Sequence, residues 1–265
     1  MTKEEKEKQK KKRLGETNIS NEGYEMKIVE YKNANDIIVE FQDKHKAKVH
    51  TIYSNFKKGR VKNYFHPSIY GIGYLGEGEY KTKENGRDTE VYKKWIHMIQ
   101  RCYDPYYLNE HPTYRDCMVC EEWYCFQNFC KWWEENYYEI PNETMCLDKD
   151  ILVKGNKIYS PETCIILSHR INTLFVKHDA GRGKYPIGIN WHKKNNKFIA
   201  RCNILDKENN KERIYLGTYD TAKEAFLAYK VFKENYIKQV ADEYKDLIPN
   251  KLYEAMYSYE VEIDD

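Results

Sequence analysis

The stretch that decides the reading is Ile187-Gly188-Ile189-Asn190-Trp191-His192, then Lys197-Phe198-Ile199-Ala200-Arg201-Cys202-Asn203-Ile204, then Arg213-Ile214-Tyr215-Leu216-Gly217. The turn-rich runs Lys193 to Asn196 and Asp206 to Glu212 separate these three segments, so they read as three short strands. Side chains alternate across a strand. Ile189, Ala200, Cys202, Ile214 and Leu216 can therefore share one face, and Asn190, His192, Arg201, Asn203, Arg213 and Tyr215 the other.

After Asp220 comes Thr221-Ala222-Lys223-Glu224, whose threonine and glutamate can satisfy each other's free backbone amides as a capping box. Ala222, Ala225, Phe226, Tyr229, Phe232 and Tyr236 follow at helical spacing, which predicts a helix that covers the apolar sheet face and leaves the polar face bare. Arginine can bind guanine O6 and N7 with two donors, and asparagine can bind adenine N6 and N7. Base reading is one use of such a face; a plain solvated face is the other.

Charge is distributed in a way that suits the first use. The net charge is only +2. From Arg182 to Arg213, however, nine Lys or Arg stand against the three acids Asp206, Glu208 and Glu212. Phosphate neutralisation depends on such a local excess. Lys193, Lys194, Lys197 and Lys211 are the expected phosphate contacts.

Gly188-Ile189, Lys197-Phe198-Ile199-Ala200 and the run from Ile214 to Ala225 resemble the AP2/ERF DNA-binding domain over roughly a fifth of the chain. The resemblance implies a three-stranded sheet laid in the major groove of double-stranded DNA. It places Asn190, His192, Arg201, Asn203, Arg213 and Tyr215 where that family reads bases. Only Arg201 and Arg213 are arginines among them, which implies a different sequence preference from the plant members.

Upstream, Val91, Trp95, Met98, Ile99 and Cys102 mark an amphipathic helix that Asp104-Pro105 ends. A second helix is expected from about Glu121 to Tyr137, with Trp123, Phe126, Cys130, Trp133 and Tyr137 on one face. Helical spacing explains those aromatics as core, with a base-stacking platform or a partner-docking surface as competing uses. Then Leu147-Asp148-Lys149-Asp150-Ile151, Gly155-Asn156, Tyr159 to Leu167 and His169-Arg170-Ile171-Asn172 read as a hairpin followed by a helix.

Much of residues 90 to 175 resembles phage-borne HNH-like endonucleases of the homing type, in which an AP2-like domain often follows the nuclease. Such a site uses a first-strand histidine as proton acceptor, an asparagine to orient it, and a helix-side ligand for a divalent metal. Here Lys149 stands at the histidine position and Thr163 at the asparagine position. Asp148, Asp150, His169 and Asn172 remain as candidate catalytic residues, with Asp148, Asp150 and His169 as ligands for Mg²⁺, which prefers oxygen donors. A lysine is protonated at neutral pH unless burial lowers its pKa. A non-catalytic phage DNA-binding regulator on a nuclease-like scaffold is the alternative.

The expected class is thus α+β, in five parts. Residues 1–13 form a disordered charged tail, 14–85 a small β module, 86–180 a degenerate ββα-type HNH-like domain, 181–240 the AP2/ERF-like sheet and helix, and 241–265 a helix with an acidic tail. Within the β module, Met26 to Tyr31, Ile37 to Phe41 and Lys48 to Ile52 read as strands, and the basic run Lys57 to Lys62 is a candidate phosphate contact. Cys117-Met118-Val119-Cys120 is a CxxC pair that offers two ligands for a structural zinc, without the second close pair that strong zinc signatures bring. No apolar run approaches the ~20 residues that span a bilayer. The chain is expected to be soluble and, by the resemblance, to act in the cytoplasm of a bacterial host as a phage-encoded protein.

Overall fold

The computed structural model describes residues 3–176, 184–205 and 210–263. Arg182 and Lys207, two of the cations counted above, lie outside them. The chain divides into two compact units, Met1–Glu134 and Glu135–Asp265.

The first unit opens with helix α1, Lys3–Arg13, where the sequence suggested a disordered tail. Lysine, glutamate and glutamine are good helix formers, and opposite charges three or four residues apart add to this. The helix end is also tied down. Arg13 pairs with Glu16 at 3.1 Å, hydrogen-bonds the Tyr53 hydroxyl and lies 4.1 Å over its ring.

An antiparallel meander follows, with strands β1 Thr17–Ile19, β2 Glu25–Asn33, β3 Asp36–Phe41 and β4 Lys48–Thr51 in that spatial order. The three predicted strands are present; β1 is added, too short to show a period. Met26, Ile28, Tyr31, Ile37, Val39 and Phe41 fill one face, and helix α2, Tyr53–Lys57, adds Phe56 to the same core.

Helix α3, Glu90–Tyr103, forms as its spacing predicts, with Thr89 as N-cap accepting from the Tyr92 amide. The second expected helix is broken. Residues Glu121–Tyr124 make a 3₁₀ turn, Cys125 is extended, and helix α4 runs Phe126–Asn136. The break shifts the buried face to Phe129 and Trp132, while Trp133 is half-buried and Tyr137 is 47% exposed. Trp95 donates to the Trp123 carbonyl at 2.7 Å and packs on Phe126, so aromatic core accounts for this cluster.

The unit boundary at Glu134 divides the expected 86–180 domain. Helix α3 packs with the aromatics before the boundary. The hairpin after it belongs with the C-terminal elements: β5, Met145–Asp148, pairs antiparallel with β6, Ile165–Ser168, and helix α5, His169–Phe175, follows. The second unit then holds strands β7 Ile189–His192, β8 Lys197–Leu205 and β9 Lys211–Tyr219, the long helix α6 Ala222–Tyr244, and α7 Asn250–Tyr257.

The first half of α6 lies on the sheet through Ala225, Phe226 and Tyr229. Its second half, which runs past the last apolar position in the predicted pattern, buries Ile237, Val240, Ala241 and Tyr244. There it meets α5 through Arg170, only 7% exposed, whose guanidinium holds Glu243 at 3.0 Å and donates to the Tyr244 hydroxyl at 3.1 Å. Tyr244 in turn donates to Glu143. One helix therefore anchors both the hairpin and the sheet.

Candidate nucleic-acid interface

Strands β7, β8 and β9 form an antiparallel sheet in chain order. The pairing is Asn190 with Ile199, Arg201 with Tyr215, and Asn203 with Arg213. The register shifts between Ala200 and Arg201, so β9 carries one extra residue there. A bulge of this kind bends a strand and increases its twist. Ile189, Ala200 and Cys202 are buried against Ala225, Phe226 and Tyr229, with Leu216 and Phe198 packed at the margin.

The predicted capping box forms in full: the Thr221 hydroxyl accepts from the Glu224 amide, and the Glu224 carboxylate accepts from the Thr221 amide. Burial pushes the Cys202 thiol up and holds the Lys233 amine below its usual value. Lys233 is one turn beyond Tyr229, so helical spacing could have placed it on this inner face.

Gly188 makes the close packing of helix and sheet feasible. Its φ is +76°, and a Cβ there would stand 2.3 Å from the Tyr229 ring and 2.8 Å from the Arg201 carbonyl oxygen. That carbonyl belongs to the strand residue whose amide bonds the Gly188 carbonyl at 2.9 Å. The Tyr236 hydroxyl grips both backbone groups of Leu205, accepting from its amide at 3.1 Å and donating to its carbonyl.

The opposite face carries the side chains that the alternation assigns to it. Asn190, Asn203, Arg213 and Tyr215 are exposed, Tyr215 by 58%; Arg201 and His192 are half-exposed. Among the described residues neither Arg201 nor Arg213 has an ion-pair partner. The Tyr215 hydroxyl shares a 2.6 Å hydrogen bond with Thr218. Thr218 pairs with Ile199 across the strands and reaches this face through the bulge, which strict alternation did not anticipate.

The expected phosphate contacts divide into two kinds. Lys193 and Lys194 project from the exposed β7–β8 turn, where Asn196 takes a φ of 52°, and Lys211 is exposed at the start of β9. Lys197 instead forms an ion pair with Asp220.

The hairpin is arranged differently. Asp148 Oδ1 accepts from the Asp150 amide at 2.9 Å and the Ile151 amide at 2.8 Å, turning the chain at the strand end. Burial, followed by the charge of Asp150, pushes the Asp148 carboxyl up to about 6, against the pull of the two amides and Lys149. Lys149 is only 8% exposed, and its ammonium sits 3.0 Å from Asp150 Oδ2 and 5.8 Å over the Tyr159 ring.

Asn156 Nδ2 donates to the carbonyls of Lys149 at 2.6 Å and Ile158 at 2.7 Å, closing the loop. Thr163 donates to the Ile158 carbonyl at 2.8 Å and meets Ser160 at 3.1 Å. Asn156 and Thr163 thus serve the loop's own backbone.

His169 and Asn172 stand elsewhere. Asp148 pairs with Ile165, whereas Ser168 pairs with Met145. His169 follows Ser168, and its amide bonds the Thr144 carbonyl at 2.8 Å. At ~3.4 Å per residue the strand separates the backbone of His169 from that of Asp148 by roughly 10 Å or more. His169 is exposed and Asn172 half-buried on α5.

Among the described residues no group of three or more His, Cys, Asp or Glu is placed to hold a metal ion. Of the hairpin's candidate ligands, Asp148 Oδ1 is taken by two backbone amides, Asp150 Oδ2 already meets the Lys149 ammonium, and His169 lies at the other end of the strand. Cys117 and Cys120 belong to no such group among the described residues either; Cys117 is buried with its thiol 3.9 Å from the Thr113 carbonyl.

Comparison of the chain with models of protein families, with curated proteins and with solved structures finds no match. No described helix is long and apolar enough to cross a membrane.

Proposed function

We propose that the protein binds duplex DNA in a sequence-directed way through the outer face of the β7–β9 sheet, and that its hairpin and α5 act as a scaffold for that sheet. The observation that supports this most is the paired arrangement of Arg201 with Tyr215 and Asn203 with Arg213 on a face that the packed helix leaves uncovered. Arginine and asparagine are the residues best suited to bidentate base contacts in the major groove. Lys193, Lys194 and Lys211 would meet phosphates, which fix register without reading sequence.

The scaffold half rests on Lys149. An ammonium held by Asp150 in a buried setting cannot accept a proton from water, and the groups that surround it are engaged in closing the loop. Metal-dependent cleavage using Asp148, Asp150, His169 and Asn172 is the competing reading.

Both halves are testable with the purified full chain. Repeated selection from a randomised duplex pool should enrich a defined sequence, and the parent should leave supercoiled and linear DNA carrying that sequence intact in Mg²⁺ or Mn²⁺. Failure to enrich any sequence would overturn the reading face. Cleavage that disappears in Asp148→Ala/Asp150→Ala would overturn the scaffold.

A further inference from the structure

The basic run Lys57 to Lys62 lies where α2 ends. From Lys58 to Tyr64 exposure alternates strictly: Lys58, Arg60, Lys62 and Tyr64 face solvent, while Gly59, Val61 and Asn63 are buried. The buried members fix the backbone. Gly59, at φ +67°, accepts from the Asn21 amide at 2.7 Å and has no room for a Cβ beside Asn21 Oδ1 and the Ile19 carbonyl. Val61 enters the meander core. Asn63 donates its side-chain amide to Asp43 at 2.7 Å and its backbone amide to Glu22 at 2.9 Å.

That anchoring brings a second cationic segment alongside. Asp43 also accepts from the amides of His45 and Lys46, and the His45 ring stacks on Phe65 with centroids 4.0 Å apart. Lys44 and Lys46 on this loop are exposed. The carboxylates of Asp43 and Glu22 are thus engaged with amides. Lys44, Lys46, Lys58, Arg60 and Lys62 have no carboxylate partner among the described residues.

We propose that this strip is a second nucleic-acid contact, specific for the phosphate backbone of duplex DNA and indifferent to base sequence. The inference rests on the duplex-DNA reading of the sheet. Two residues of chain reach at most about 7 Å, comparable with the separation of neighbouring phosphates along one strand, so Arg60 and Lys62, both exposed on either side of the buried Val61, can each meet one phosphate. A backbone already fixed loses little freedom on binding. The N-terminal unit thereby contributes affinity and salt sensitivity, while the sheet contributes discrimination.

The test compares the parent with Lys44→Gln/Arg60→Gln/Lys62→Gln by fluorescence anisotropy over a range of salt, using a selected duplex and a random-sequence duplex. Each lost phosphate contact should flatten the dependence of log affinity on log salt by about 0.9. The triple variant should therefore lose about two to three units of slope and bind both duplexes about tenfold or more weakly, with the ratio between them kept. Arg60→Lys/Lys62→Arg should retain the parent slope.

An unchanged slope in the triple variant, with a melting midpoint equal to the parent's, overturns the proposal. So does a loss confined to the selected duplex, which would make these residues readers of sequence, or a loss seen with heparin and not with DNA. A parent that shows no salt-dependent DNA binding fails the duplex reading itself. A parent whose discrimination falls with Arg213→Ala while its slope ignores the strip fails this inference alone.

Discussion

The hairpin of residues 145–168 and the sheet of residues 189–219 belong to one unit and share one supporting helix, yet they spend their polar groups in opposite ways. In the hairpin, Asp148, Asp150, Asn156 and Thr163 bond neighbouring backbone or Lys149. In the sheet, Asn190, Asn203 and Arg213 point outward from a register fixed by strand pairing and a covered inner face. A polar side chain whose hydrogen bonds are met internally contributes to stability; one carried without a partner on a backbone fixed by strand pairing is available for recognition. The two regions should therefore respond differently to substitution, and that difference can be broken.

The largest effect is expected where the sheet meets its helix. Gly188→Ala would force a Cβ into the Tyr229 ring and demand a left-handed backbone from alanine. Overpacking and backbone strain together should cost about 3 kcal/mol. Denaturant titration would show a lower midpoint, and DNA discrimination would fall with the fold. A midpoint equal to the parent's would mean that Tyr229 and the strand can separate cheaply, and the sheet would then be no rigid reader.

Next in size is the outer face itself. Arg213→Ala removes an exposed side chain with no ion-pair partner among the described residues, so stability should stay within about 0.5 kcal/mol. Discrimination between the selected duplex and one altered at the contacted base should nevertheless fall by about 1–3 kcal/mol. Competition binding reads the second quantity and thermal melting the first. Loss of stability without loss of discrimination would reverse the contrast between the two regions.

The sheet was legible in the sequence because its signal is local. Period-two alternation across Ile189 to Leu216 and the Thr221/Glu224 pair need only near neighbours, and both are present in the fold. The bulge at Ala200/Arg201 is a property of pairing between strands, and Thr218 reached the face through it unseen. The hairpin and its helix were legible as elements for the same reason.

The relative placement of Asp148 and His169 was not legible, because it depends on register. Strand pairing sets them at opposite ends. The pairing of Arg170 was not legible either: its partners Glu243 and Tyr244 lie more than seventy residues on. The N-terminal helix was missed for want of an apolar face, although its residues favour helix and Arg13 fastens its end.

The smallest expected effect is also the sharpest test of the hairpin. Asp148→Asn keeps an oxygen to accept from the Asp150 and Ile151 amides, so the turn should survive. It removes a charge that burial and Asp150 disfavour. The carboxyl is raised from 3.8 to about 6 in the folded chain, so the folded state binds the proton more tightly than the unfolded state does. The resulting penalty is absent below pH 3.8, grows as pH rises toward 6, and is complete above that. At pH 7 the asparagine variant should therefore be more stable than the parent by about 1 kcal/mol, an amount discounted for the nearby ammonium. The difference should shrink as the pH is lowered from 6 toward 3.8, and Mg²⁺ should not alter it. A metal-binding aspartate would behave in the reverse sense: asparagine would weaken the protein in Mg²⁺, and the gain would be the parent's. Melting curves of the two chains at several pH values, with Mg²⁺ or with a chelator, separate these outcomes directly.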